Sequence, residues 1–326
     1  MTEQKHLKAL IRARMARTGE SYTAARSHIV KAEDPPPTLT PTAEFRAHDK
    51  HCMTAVFTPD DAHIISGGFG GQAHIWTLEG SLAGELVGHE AAVSAVRISP
   101  DGRTAITAAS DKTVRVWDLP TRRERFVLGK HRKQVLALDL DAPRDRVWSG
   151  GHDGRLNAWS LASGDLAAAI DLGASVTSVA VRARDGVVAA ATVGSGIAIL
   201  NPDGTEISGL AQSTRVIGSV AWAADGSFLL ASSPSGATVW AVDVWEPVRS
   251  IESGSGSMLP VALSPDGSRI ALGWDHHVGL WSADEAVPGA TIEGLPKGVY
   301  GLSFSHDGRL LAAAAADGRV RVWSVT

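Results

Sequence analysis

From about residue 43 onward, short apolar runs alternate with polar positions at period two, the signature of half-buried strands rather than helices. The runs also recur. The pattern apolar-x-apolar-Trp, with some latitude at its first position, ends at Trp76, Trp117, Trp159, Trp240, Trp281 and Trp323. The gap of 81 residues between Trp159 and Trp240 has its midpoint on Ile197-Ala198-Ile199-Leu200, the same pattern with Leu for Trp. Successive spacings are then 41, 42, 41, 40, 41 and 42.

A second marker runs in phase with the first. Tight-turn sequences stand at Pro59-Asp60-Asp61, Pro100-Asp101-Gly102, Arg144-Asp145, Arg184-Asp185-Gly186, Ala224-Asp225-Gly226, Pro265-Asp266-Gly267 and His306-Asp307-Gly308. Each lies between two alternating runs, which predicts a hairpin. A period of about 41 residues holding three or four short strands matches a propeller blade and not an α-helical repeat. Sheets this small cannot bury their own faces alone, and radial stacking gives them a shared core. The expected fold is an all-β, seven-bladed β-propeller over residues 42–326, with residues 42–46 pairing into the last blade to close the ring.

Ahead of it the pattern changes to helical spacing. Leu7, Leu10, Ile11 and Met15 form one stripe with Lys8, Arg12 and Arg17 off it, and Ser21 caps a second short helix from Tyr22 to Val30. Residues 1–32 read as a basic helical extension, and residues 33–41, with Pro35, Pro36, Pro37 and Pro41, as an extended linker. The formal net charge is -4, but residues 1–32 carry +5, leaving -9 on the remainder.

Composition narrows the functional classes. The chain is 44% hydrophobic with one cysteine, Cys52, which excludes an internal disulfide and any multi-cysteine metal site. No secretion signal or membrane-length apolar run appears, so a cytoplasmic protein is expected. His48, His51, Cys52, His63 and His74 crowd one blade without recognised ligand spacing, and His276-His277 is a turn pair, so no metal is expected. Gly67-Gly68-Phe69-Gly70-Gly71 opens no helix and is not read as a nucleotide cradle. No cofactor is expected.

With Trp117-Asp118, Gly88-His89 and Asp111 six residues before its Trp, the chain resembles the WD-repeat family over residues 42–326. The resemblance implies a structural hydrogen-bond relay of His, Ser/Thr, Asp and Trp inside a blade: His89, Thr107, Asp111 and Trp117 in blade 2, and His131, Ser149, Asp153 and Trp159 in blade 3. Such groups can satisfy one another without water, so the recurring His-Ser-Asp sets are structural rather than catalytic triads. Blade 1 keeps His48, Ser66 and Trp76 but has Gly70 for the Asp. Blade 4 has Gly194 and Leu200 for the Asp and Trp, and blade 5 has Pro234 for the Asp. Blades 6 and 7 keep Asp275 with Trp281 and Asp317 with Trp323 but lack the Gly-His. Blades 4 and 5 are therefore expected to be the less rigid part.

The resemblance also places partner binding on one end of the ring, the top. The position before each Asp reads Phe69, Ser110, His152, Val193, Ser233, Trp274 and Ala316. The aromatics Phe69 and Trp274 are candidate anchors for a protein partner, unless either ring folds over its neighbour. Around them stand Lys50, His51, Arg132, Lys133, Arg215 and Lys297, against Asp49 and Glu90. A positive top face suits an acidic or phosphorylated partner. The expected role is a protein-interaction scaffold that is not an enzyme. Behind it rank a nucleic-acid-associated factor using the basic tail, then a small-molecule or catalytic site at the channel mouth. A membrane contact ranks last.

Overall fold

The computed structural model describes residues 37–210, 218–242, 244–253, 260–283 and 289–326. The chain divides into two units, Met1–Pro37 and Thr38–Thr326. The helices expected within residues 1–32 lie outside the described residues. In the second unit, seven antiparallel sheets of four strands each follow one another. This is a seven-bladed β-propeller.

Blade 2 shows the plan. Its inner strand Val93–Ile98 pairs with Thr104–Ala109, which pairs with Thr113–Asp118, which pairs with the outer strand Arg123–Lys130. Blade 7 is built from both ends of the unit: Val299–Phe304, Leu310–Ala315 and Arg319–Val325 are completed by Leu39–Arg46. The partners run from Leu39 opposite Val325 to Arg46 opposite Arg319. This strand begins three residues before the expected position 42, and so takes in the last part of the expected linker. Pro41 is accommodated because it stands on an outer strand at a register shift, where its missing N–H costs no ladder bond.

The core lies in the seams between blades. Ile65, Ile75, Val93, Val96, Ala105 and Trp117 fill the seam between blades 1 and 2, and Ile106, Val116, Leu128, Val135, Leu138, Val147 and Trp159 the next. Second strands are the most crowded positions, and all six residues of Thr104–Ala109 are buried. Small residues there admit the next blade. A Cβ on Gly67 would stand 2.7 Å from Val93 Cγ1, and one on Gly150 2.4 Å from Val176 Cγ1. The glycine run of blade 1 is thus a packing surface, consistent with the absence of a helix after it.

The turns explain their own sequences. Asp101 accepts from Ser99 Oγ and the Arg103 N–H, while Ser99 Oγ accepts from the Thr104 N–H at 2.9 Å. Ser264 with Asp266 and Ser305 with Asp307 repeat this. Each set closes the hairpin with side chains the turn itself supplies. Among the described residues no helix is long and apolar enough to cross a membrane.

Candidate partner-binding face

In an up-and-down four-stranded blade, the loop entering the inner strand and the turn between the second and third strands share one end. That end carries the His and Asp of each relay. In blade 2, Trp117 Nε1–H donates to Thr107 Oγ1 (2.8 Å), which lies 2.7 Å from His89 Nε2. Indole can only donate, so the threonine proton goes to Nε2, and Nδ1–H donates to Asp111 Oδ2 at 2.8 Å. Blade 3 repeats this: Trp159 to Ser149 (2.8 Å), Ser149 to His131 (2.8 Å), His131 Nδ1 to Asp153 (3.1 Å). Gly88 and Gly129 precede these histidines because a Cβ there would lie within 3 Å of the Trp117 or Trp159 ring.

Electrostatics fit a neutral imidazole on an ionised carboxylate. Burial holds the His89 pKa below its ordinary value, against the pull of Asp111. Burial alone would raise the Asp111 carboxyl, but donors from Thr113, His89 and the Glu90 N–H outweigh it and keep it low. Asp153 is held low in the same way, by the Arg132 N–H and His131. Each carboxylate is therefore committed to structure.

Blade 1 solves the loss of its Asp differently. His48 Nε2 meets Ser66 Oγ at 2.9 Å, and Trp76 Nε1–H donates to the same hydroxyl. His74 stacks on His48 with centroids 4.8 Å apart and planes within 9°. His74 Nδ1 donates to the Ala47 carbonyl at 2.8 Å. Burial first, then His74, lowers the His48 pKa to about 4. The two rings meet face to face with those nitrogens spent, which is not how a metal is held. Among the described residues no group of three or more His, Cys, Asp or Glu is placed to hold one. In blade 7, Asp317 pairs with Arg321 (2.6 Å), which also reaches Glu44 of the closing strand at 3.4 Å.

On the top face, Phe69 is 45% exposed, with the His51 ring 5.0 Å away and Tyr300 beyond it at 5.6 Å. Trp274 does not project. Its ring stacks on His277 at 5.4 Å and 11° and leans on Trp281, over a backbone bared by Gly279, whose added Cβ would stand 2.8 Å from it. The inward reading of this residue is the one the structure shows. Lys50, Arg132, Lys133, His152 and Lys297 are exposed, whereas Arg215 lies outside the described residues. Arg132, Lys133 and His152 share one depression, to which the structure adds Lys112 and Gln134. Lys50 and Lys297 do not line it. Lys112 escaped the sequence reading because it occupies the glycine position of a turn and faces a neighbouring blade.

The central channel, about 550 Å³, is lined by inner strands. Its charged groups are spent: Arg97 pairs with Asp139 at 2.8 Å, and Asp139 also accepts the Val181 N–H. Trp222 Nε1–H donates to the Ala180 carbonyl beneath the Arg182 guanidinium, 4.9 Å from its ring. These contacts tie blades 2 to 5 together at the end opposite the relays.

A closed ring of seven four-stranded blades, with indole–hydroxyl–imidazole relays in blades 1 to 3, has the architecture and internal bonding of a WD-repeat β-propeller. Residues 39–77, 80–118 and 287–324 match the family model "WD domain, G-beta repeat". The chain is 27% identical to Transducin-like enhancer protein 2 of Mus musculus over 154 residues, 45% of this chain and 20% of that protein. It is 28% identical to Protein groucho of Drosophila melanogaster over 119 residues, 36% of this chain and 16% of that protein. The matches thus span a fifth or less of these relatives' own lengths.

Proposed function

We propose that the chain is a protein-interaction scaffold that docks its partner on the top face, and that it is not an enzyme. The observation that carries this is Phe69, a large aromatic left 45% exposed beside His51, on the end where Lys50, Arg132, Lys133 and Lys297 are also exposed. A rigid aromatic within a cationic rim is the composition of an interface anchor. The relay imidazoles and carboxylates are consumed in structure, and the channel's Arg97 and Asp139 neutralise each other, so neither set is free to act on a substrate. WD-repeat kinship supports the same reading.

The test is site-specific photocrosslinking on the full chain. A benzophenone side chain at position 69 is expected to capture a discrete partner, and one at Leu166, on the outer edge of blade 3, is expected not to. Competition by unlabelled protein should remove the adduct, and competition by the Phe69→Glu variant should not. Equal capture at both positions, or equal competition by the variant, overturns the top-face assignment.

A further inference from the structure

The seam between blades 2 and 3 opens on the top face as a notch of about 380 Å³, lined by Lys112, Arg132, Lys133, Gln134 and His152. Its backbone is fixed from both sides. The Lys112 carbonyl accepts the His131 N–H, the Gln134 carbonyl accepts the His152 N–H, and the Arg132 N–H donates to Asp153. The imidazole of His152 is oriented by Ser175 Oγ, 2.9 Å from Nδ1. Lys112, Arg132 and Lys133 have no ion-pair partner among the described residues. The carboxylates beneath, Asp111 and Asp153, already face His89 and His131. Three cations therefore line one notch with no carboxylate paired to them among the described residues.

A second observation is independent of charge. Lys112 has φ +76°, the left-handed conformation that costs an L side chain free energy and glycine none. At the same turn position blades 1, 3 and 7 use Gly71 (φ +83°), Gly154 (φ +76°) and Gly318 (φ +81°). Blade 2 alone among these four accepts the strained side chain, and the chain it presents is a cation on the notch. Strain retained where a relaxed alternative exists points to function.

We propose that this notch receives a phosphate monoester carried by a partner polypeptide, a reading that rests on top-face docking. A phosphomonoester brings nearly two negative charges and three acceptor oxygens at neutral pH. A guanidinium can grip two of those oxygens, and the two ammonium groups and the Gln134 amide supply further donors. A single carboxylate would leave most of the positive charge uncompensated. A compact notch on a propeller whose residues 38–326 carry a net charge of -7 suits one phosphate rather than a nucleic-acid backbone, which is tracked by an extended basic stripe.

The test uses the full chain and a fluorescent degenerate peptide pool centred on phosphoserine, with serine- and glutamate-centred pools beside it, read by anisotropy. Binding of the phosphoserine pool is expected to be at least about tenfold tighter than of the other two. Arg132→Glu with Lys133→Glu should abolish the preference, and Arg123→Glu on the outer strand of the same blade should not. Lys112→Gly should weaken phosphopeptide binding while leaving the melting midpoint unchanged or higher, which a merely structural lysine would not do. Equal binding of the three pools, a preference that survives the double reversal, or displacement of the peptide by an unphosphorylated single-stranded oligonucleotide analogue with a neutral backbone overturns the proposal. A partner captured at position 69 without any phosphate preference removes the notch alone and leaves the scaffold reading standing.

Discussion

Blades 2 and 3 and blades 5 and 6 share a backbone plan and a third-strand tryptophan, yet they treat the indole N–H in opposite ways. In the first pair Trp117 and Trp159 donate to Thr107 and Ser149, ten residues earlier. In the second pair the hairpin is one residue shorter, so the position that shares the indole's face is Ala231 or Leu272, and the buried Nε1–H groups of Trp240 and Trp281 have no acceptor among the described residues. Blade 4 has lost both partners together, with Leu200 facing Ala190 across this spacing, and so carries no orphan. An indole can stay for its packing after its hydrogen bond is gone, because burying so large a ring outweighs one unmet donor. Blades 4 and 5 are joined through Ser178 Oγ accepting the Val220 N–H and Trp222 donating to the Ala180 carbonyl. Blades 2 and 3 carry a tie of this kind as well, Arg97 to Asp139, in addition to the relays inside each blade.

The comparison breaks most sharply at the hydroxyl. Thr107→Val is isosteric but strands both the Trp117 donor and the His89 Nε2 acceptor, and should cost about 3 kcal/mol by urea unfolding. A loss below about 1 kcal/mol would mean the relay is ornamental. Acid is the next lever. The folded-state pKa of His48 is about 4 against 6.5 for the free side chain, so the unfolded chain takes up the proton first. Stability is complete above pH 6.5 and falls as pH drops toward 4, by about 3 kcal/mol in total. His48→Gln should flatten that part of the pH profile of unfolding. His89, also lowered by burial, should contribute with the same sign.

Smaller effects sharpen the contrast. Trp117→Phe should cost about 1 kcal/mol more than Trp240→Phe, since the first strands a hydroxyl and the second removes an orphan; equal costs would erase the distinction between the blades. Ala231→Ser puts a hydroxyl at the relay-acceptor position on the face of Trp240 and should stabilise the fold by up to about 1 kcal/mol, seen as a shift in the urea midpoint at constant slope.

The fold was legible because its signal repeats. Seven in-phase turns and third strands left one architecture, and the pattern His…Ser/Thr…Asp…Trp marked where hydrogen bonds run inside a blade. What the sequence concealed depends on contacts between blades or on substitutions of chemical kind. Nothing in the spacing of His74 announces that it stacks on His48 in place of an absent Asp, or that Arg321 answers Asp317 where the histidine is missing. Trp274 reads equally as a projecting anchor or an inward-folded ring until Gly279, five residues away on the next strand, is seen to leave room for it. The notch was half visible: Arg132, Lys133 and His152 were legible as loop residues, but Lys112 is separated from them by a whole outer strand, and only the seam brings them together.

The closing strand has a kinetic consequence. Leu39–Arg46 and Arg319–Val325 must find each other across nearly the whole chain, the costliest loop closure in the molecule, before blade 7 is complete. Every other blade can fold from neighbouring sequence. Synthesis must therefore pass Val325 before the ring can shut, and until then six blades stand with two unsatisfied flanks. The same clasp, where Arg321 spans to Glu44, is the one seam of blade 7 that joins strands distant in sequence, so its opening would expose two flanks at once.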